Sequence, residues 1–148
     1  MSKIRLKLEV EPVPISTWGI SLSNRLPKEA WDVLRKKVYK AGGYRCQICG
    51  STLPPMHCHE VWKFNNKEKV QYLARLECIC KICHDVKHFG RSQEVYKKDY
   101  ITVLVNHWCE VNNLIEKAFY VYLKQIFHTN TIRSKIYYTV KVEGRILT

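Results

Sequence analysis

Cys46-Gln-Ile-Cys49, Met56-His57-Cys58-His59-Glu60-Val61-Trp62 and Cys80-Lys-Ile-Cys83-His84-Asp-Val-Lys-His88 are three pieces of one stretch, and their reading decides the fold. Two Cys-x2-Cys pairs suit a tetrahedral zinc site, because each short loop lets both thiolates converge on one ion. Cys46, Cys49, Cys80 and Cys83 are therefore the expected ligands of a structural Zn2+ that staples a β-turn to the start of a helix. Unconnected core cysteines rarely repeat this spacing, and a redox pair needs the motif only once. His84 and His88, one turn apart, project from the same face of a helix and can share a second metal.

Working outward, 148 residues with a hydrophobic share of 46% make one domain with a real core the expectation. No apolar run approaches the roughly 18 residues of a membrane span. The N-terminus alternates charged and aliphatic residues, unlike a secretory signal. A soluble, cytoplasmic protein with no membrane partner is the expected class. Lys and Arg number 25 against 13 acidic residues, a net charge of +12 that favours a polyanionic partner, nucleic acid foremost. Seven cysteines in a reducing compartment point to metal rather than to disulfides.

The flanks read as follows. Residues 3–10 alternate strictly, with Ile4, Leu6, Leu8 and Val10 on one side, which predicts a half-buried strand ended by Glu11-Pro-Val-Pro14. Trp18 is an expected core anchor. Pro27, Glu29, Asp32 and Gly42-Gly43 delimit a helix with Ala30, Trp31, Leu34, Val38 and Ala41 as its buried stripe. Its outer face of Arg35, Lys36, Lys37 and Lys40 is either solvated or set against phosphates. Residues 57–62 read as a short strand and 63–69 as a polar turn, with 70–76 open between a helical turn and a second strand. A short helix is expected over 82–89, stopped by Gly90. A longer one over 93–108 carries Val95, Tyr96, Ile101, Leu104, Val105 and Trp108. Asn112 is the expected N-cap of a helix over 113–127 that buries Leu114, Ala118, Val121 and Tyr122. Residues 135–142 alternate as a last strand, a candidate partner of the first. Tyr120, Tyr122, Tyr137 and Tyr138 are expected to pack rather than to stack on bases.

The histidines suggest chemistry. Hydrolysing a phosphodiester needs a base to activate water and a cation to stabilise charge on the phosphate and the leaving oxygen. An imidazole with an ordinary pKa of about 6.5 suits the first task, and His59 is the candidate. His84 and His88 suit the second. Arg75, Lys81, Lys87 and Arg91 lie close by in the chain as candidate nucleic-acid contacts, which would position a backbone without reading bases. Ordinary surface charge is the alternative.

The combination of Cys-x2-Cys, Cys58-His59-Glu60-Val61-Trp62 and Cys-x2-Cys-His-x2-Lys-His closely resembles the HNH endonuclease superfamily, and within it the small stand-alone bacterial and phage proteins. Weaker echoes at Trp31 with Leu34-Arg35, His88-Phe-Gly90, Val111-Asn112 and Arg133-Ser134 extend the resemblance over most of residues 18–142. It implies an α+β chain, single-domain over 1–148, with a ββα-metal core at 44–90 stapled by the four-cysteine zinc site. That core would be flanked by an N-terminal strand and helix (3–43) and by C-terminal helices and a strand (92–142). It implies a metal-dependent endonuclease that nicks or cuts DNA, with RNA left open. His59 falls where the family keeps its general base, His84 and His88 where a helix supplies metal ligands, and the four cysteines where many members hold structural zinc.

Two positions depart from the family pattern. The residue before the base, commonly Asp or His and itself a ligand, is Cys58. As a third ligand its sulfur would favour Mn2+, Ni2+ or Zn2+ over Mg2+, and His57 or Glu60 could take its place. The family's Asn, which holds the loop that orients the base, is replaced by Arg75, with Asn65 and Asn66 nearby. A non-catalytic, zinc-stabilised module binding nucleic acid or protein is the contrasting expectation. No second DNA-reading module is visible, so targeting would fall to a protein partner.

Overall fold

The computed structural model describes residues 5–146, except for the side chain of Arg145. Its centre is an antiparallel hairpin of β1 (Met56–Asn65) and β2 (Val70–Cys80), in register from Met56 opposite Cys80 to Asn65 opposite Val70. Both strands run longer than the sequence suggests. The open segment 70–76 is strand, because its alternate residues Gln71 and Leu73 are buried while Tyr72 faces outward. A bulge between Val61 and Trp62 shifts the register, so Val61 stands opposite Arg75 and Trp62 opposite Leu73.

The chain passes from β2 into α3 (Lys81–Lys87) with no loop between them, since Cys80 ends the strand and caps the helix by accepting a bond from the Cys83 amide. Helices α4 (Phe89–Val95), α5 (Lys98–Asn112) and α6 (Glu116–Arg133) follow. Before the hairpin come a short α1 (Leu22–Arg25) and α2 (Lys28–Ala41), the latter beginning after Pro27 as expected and packing on both strands. At Gly42 an added Cβ would lie 2.7 Å from the Cys78 Cβ, so this close approach of α2's end to the sheet requires glycine. The architecture is α+β, with six helices and one three-stranded sheet among the described residues.

Two apolar clusters hold these elements. The larger joins α3, α4, α5 and α6 through Val86, Phe89, Leu104, Trp108 and Phe119, and Phe119 meets both Phe89 and Trp108 edge-on. The smaller lies on the other face of the hairpin, where Leu22, Leu34 and Leu73 pack with Trp31 and Trp62. No described helix is long and apolar enough to cross a membrane.

Several expectations are corrected. Residues 3 and 4 of the expected first strand lie outside the described residues, and 5–10 form no strand. Leu8 and Val10 are buried as the alternation implies, but their backbone is satisfied by side chains. The Asn112 carboxamide accepts from the Lys7 and Leu8 amides and donates to the Leu8 carbonyl, and the Tyr122 hydroxyl accepts from the Val10 amide. Alternation thus reports burial here, not strand pairing. The last strand, β3 (Thr139–Lys141), accordingly pairs parallel with β2 at Val70–Tyr72 instead of with the N-terminal segment.

Asn112 ends α5 rather than capping α6, because Asn113 adopts the left-handed conformation that terminates a helix. Gly90 lies inside α4 against the Phe127 ring, and the expected 93–108 helix is broken where Tyr96 turns extended. Ala30, Ala41, Val95, Tyr96 and Val121 face solvent, as do Tyr120 and Tyr137. Trp18 is 68% exposed and no core anchor.

Candidate functional site

The four predicted cysteines meet. Their Sγ atoms all lie within 4.8 Å of one another, and Cys49 and Cys80 stand 3.7 Å apart. Zinc–sulfur bonds of about 2.3 Å in a tetrahedron place sulfurs about 3.8 Å apart, so the donor set and its spacing fit zinc. Each pair is preorganised by its own loop: the Cys49 amide donates to the Cys46 sulfur, and the Cys83 amide to the Cys80 sulfur. The Gln47 side-chain oxygen accepts from the Cys78 backbone amide while the Gln47 backbone amide donates to the Cys78 carbonyl, clamping the first loop to β2. Hydrogen bonds from the Cys80 and Cys83 thiols push Cys46 well below the ordinary thiol range, and the same bonds push those two upward. A bound divalent cation would hold these sulfurs as thiolates and displace their protons. A residue that the sequence reading missed stands at its edge: His107 on α5, with Nε2 3.2 Å from the Cys83 sulfur.

On the flank of this cluster, β1 and α3 bring the three predicted histidines together. His59, His84 and His88 each offer a ring nitrogen within 4.8 Å of the others. His59 projects from β1 and is 3% exposed. His84 lies within α3, and His88 at the junction of α3 and α4 keeps the turn through its amide bond to the His84 carbonyl. Burial, followed by the His88 and His59 imidazoles, pushes His84 down to about 2. Burial and His59 bring His88 to about 4, against the opposing pull of Glu11. Both rings are therefore neutral at physiological pH and present lone pairs, the state that a metal ligand needs.

Glu11 completes the arrangement and was not foreseen. Its Oε2 lies 2.7 Å from His59 Nε2 and accepts a 2.7 Å bond from Lys87 Nζ. Burial pushes this carboxyl up, but the His59 hydrogen bond and the Lys87 ammonium outweigh burial and hold it at about 2. The carboxylate accepts from His59 Nε2 and so orients the ring, leaving Nδ1 for a second partner. Glu11, His59 and His88 also line a cavity of about 60 Å³, large enough to admit water. Gln71 lines it too, and its buried Oε1 has no hydrogen-bond partner among the described residues.

The strand period decides the remaining candidates. Residues two apart on β1 share a face, so His57 joins His59 and places its Nδ1 2.8 Å from His84 Nδ1. Cys58 points the other way, and burial, then Glu60 and Cys78, push its thiol up to about 12. Its sulfur is not among the donor atoms that gather at His59, His84 and His88. Glu60 is also turned away, accepting a 2.6 Å bond from the Leu22 amide.

Three of the four basic candidates are already engaged. Arg75 pairs with Glu77, Lys81 is held by Asp85, Tyr96 and Tyr100, and Lys87 is 4% exposed on Glu11. Burial takes Lys87 out of reach of a phosphate, whereas Arg75 and Lys81 stay exposed despite their pairs, and Arg91 is exposed with no ion-pair partner among the described residues. Asn65 accepts from the Glu68 amide and Asn66 from the Tyr138 hydroxyl. No protein-family model, curated protein or solved structure matches the chain.

Proposed function

We propose that this protein is a metal-dependent phosphodiesterase of the HNH type, an endonuclease acting on DNA. One observation carries the reading. A buried strand histidine, oriented by a carboxylate, meets two neutral histidines from the following helix beside a four-cysteine cluster. In this account His84 and His88 would hold a divalent ion whose chemistry is Lewis-acid stabilisation of the scissile phosphate and the leaving oxygen. Cys58 plays no part. Because the ligands are imidazoles, Mn2+, Ni2+ and Zn2+ suit the site better than Mg2+.

His59 is the general base: Glu11 holds its Nε2 proton, so Nδ1 can take a proton from water and the developing imidazolium is stabilised by the carboxylate. Glu11 thereby does for His59 what the family's Asn is expected to do. Lys87 balances the Glu11 charge without touching substrate.

The test is conversion of supercoiled plasmid with Mg2+, Mn2+ or Ni2+ by the native protein and by His59→Ala. Metal-dependent cutting by the native chain alone supports the proposal. Equal cutting by both removes His59 as base, and no cutting by either favours the zinc-stabilised binding module. Nicked circles against linear product distinguishes single-strand from double-strand cleavage, and a structured RNA in parallel tests the other substrate.

A second reading has its own support. Three imidazoles within 4.8 Å also form a donor set for one ion, with Glu11 as the outer carboxylate on His59. Metal titration separates the two. His59→Ala leaves divalent-ion affinity in place when His59 is the base, and lowers it when His59 is a ligand.

A further inference from the structure

Trp18 presents an arrangement that the nuclease reading leaves unused. Of the four tryptophans, Trp31 and Trp62 pack in the smaller cluster and Trp108 is fully buried, whereas Trp18 is 68% exposed. Its segment is nevertheless firmly held. The Ile15 amide donates to Ser134 Oγ, Ser16 Oγ donates to the Arg133 carbonyl, and Thr17, 2% exposed, closes the turn on the Pro14 carbonyl. The indole is fixed too, since its Nε1 donates to the Val13 carbonyl at 3.1 Å. A large aromatic ring is thus presented to solvent on a rigid support, with its one polar atom satisfied internally.

The ring forms one wall of a cleft of about 570 Å³, inside the roughly 300–1,000 Å³ range of ligand sites. Pro12 and Ile15 continue its apolar side, and His88 and Arg91 stand in its lining. His88 also lines the small cavity beside His59, so the cleft adjoins the candidate catalytic centre at that residue. Arg91 has no ion-pair partner among the described residues, and the lining holds one acidic group, Glu94. An exposed aromatic face beside a free guanidinium, on a chain of net charge +12, matches a nucleotide: a base for the ring and a phosphate for the cation.

We propose that the cleft between Trp18 and Arg91 is a nucleotide subsite in which an unpaired base stacks on Trp18 while the adjoining phosphate meets Arg91. This rests on the nuclease reading and deepens it, because the substrate then carries a single-stranded or frayed segment next to the bond that is cut. Stacked duplex bases offer no free face to the ring, so fully paired DNA does not fill the subsite.

The experiment uses the full chain with zinc in place and no other divalent ion added, titrated with short oligothymidylate, short oligouridylate and a blunt duplex. Tryptophan quenching and fluorescence anisotropy are the readouts. Both single strands quench the native protein, and Trp18→Ala weakens their binding by roughly 5- to 100-fold, the range of one lost base–aromatic stack. Trp18→Tyr restores most of it. Arg91→Gln lowers the slope of log affinity against log salt by about 0.7 for a single strand. Oligothymidylate against oligouridylate decides whether DNA or RNA is the better source of the base.

Because Trp18 is exposed, its replacement leaves the fold in place, and a thermal melt verifies folding. Single-strand affinity unchanged in Trp18→Ala overturns the subsite, as does equal loss of duplex and single-strand binding. Plasmid cutting that persists with an unchanged Trp18→Ala leaves the nuclease reading standing without the subsite. Trp18-dependent binding by a chain that cuts nothing does the reverse.

Discussion

Replacing Glu11 by Gln tests the link between the irregular N-terminal segment and the histidine centre. The substitution keeps the shape but removes the charge that faces both His59 Nε2 and Lys87 Nζ at 2.7 Å. Lys87, 4% exposed, is left as a buried cation without its counter-charge. Breaking such a pair costs about 3–5 kcal/mol. The carboxyl itself gives an independent figure. It is held at about 2 against an ordinary 4.5, and such a shift is worth on the order of 3 kcal/mol at neutral pH. The Glu11 side chain keeps 24% of its surface in water, so the realised loss belongs near the lower end, roughly 2–3 kcal/mol.

For a chain of this size that loss lowers Tm by roughly 4–12 °C. The sign of the pH dependence follows from the folded value lying below the unfolded one. The Glu11 contribution is complete above pH 4.5 and disappears as pH falls toward about 2. Native and Glu11→Gln stability curves, measured by denaturant unfolding, should therefore differ by a constant amount near neutrality and converge in acid. Cleavage should fall by at least about tenfold, since His59 loses the group that orients its ring. Glu11→Leu combined with Lys87→Met should regain most of the stability without regaining cleavage. A Glu11→Gln protein with native Tm and native cutting would refute both the pairing and the orienting role.

Three further perturbations follow from the geometry. Cys80→Ser takes one thiol out of the four-cysteine cluster while the serine hydroxyl can still cap α3, so it should abolish tight zinc binding and lower the thermal unfolding temperature, followed by metal analysis and calorimetry. Cys58→Ser should leave divalent-ion affinity at the histidine centre unchanged in an isothermal titration, because the thiol faces away from it; a tenfold loss would restore Cys58 as a ligand. His107→Leu deletes the group beside the Cys83 sulfur and should accelerate zinc transfer to a chromophoric chelator by roughly 10- to 100-fold, with the fold retained by circular dichroism.

The parts of this account that were legible in the sequence are those encoded by local spacing. The two Cys-x2-Cys loops announce their own convergence, and the turn between His84 and His88 does the same on a helix. The position of β1 also held the means to exclude Cys58 and include His57, because residues two apart on a strand share a face. That inference needed only the strand reading already made for 57–62. Glu11 was beyond reach: it meets His59 across 48 positions of chain, through a segment whose prolines say only that no ladder continues.

The N-terminal alternation was a true burial signal attached to the wrong bonding partner, since the groups that satisfy it, Asn112 and Tyr122, lie more than 100 residues away. Trp18 was misplaced for a related reason: hydrophobicity favours burial on average and cannot tell a core ring from one held outward. Helix ends at Asn113 and Tyr96 depended on single backbone conformations that composition does not specify.

The central claim is that His84 and His88, beside His59, hold a second metal ion, distinct from any ion in the four-cysteine cluster. Metal stoichiometry measures it most directly, on protein purified with zinc and then equilibrated with Mn2+ or Ni2+, for the native chain and for His84→Ala/His88→Ala. The account predicts one tightly held zinc plus one exchangeable divalent ion in the native protein, with the zinc alone surviving in the double variant. A single ion per chain in both, unchanged by added metal or by DNA, would contradict it.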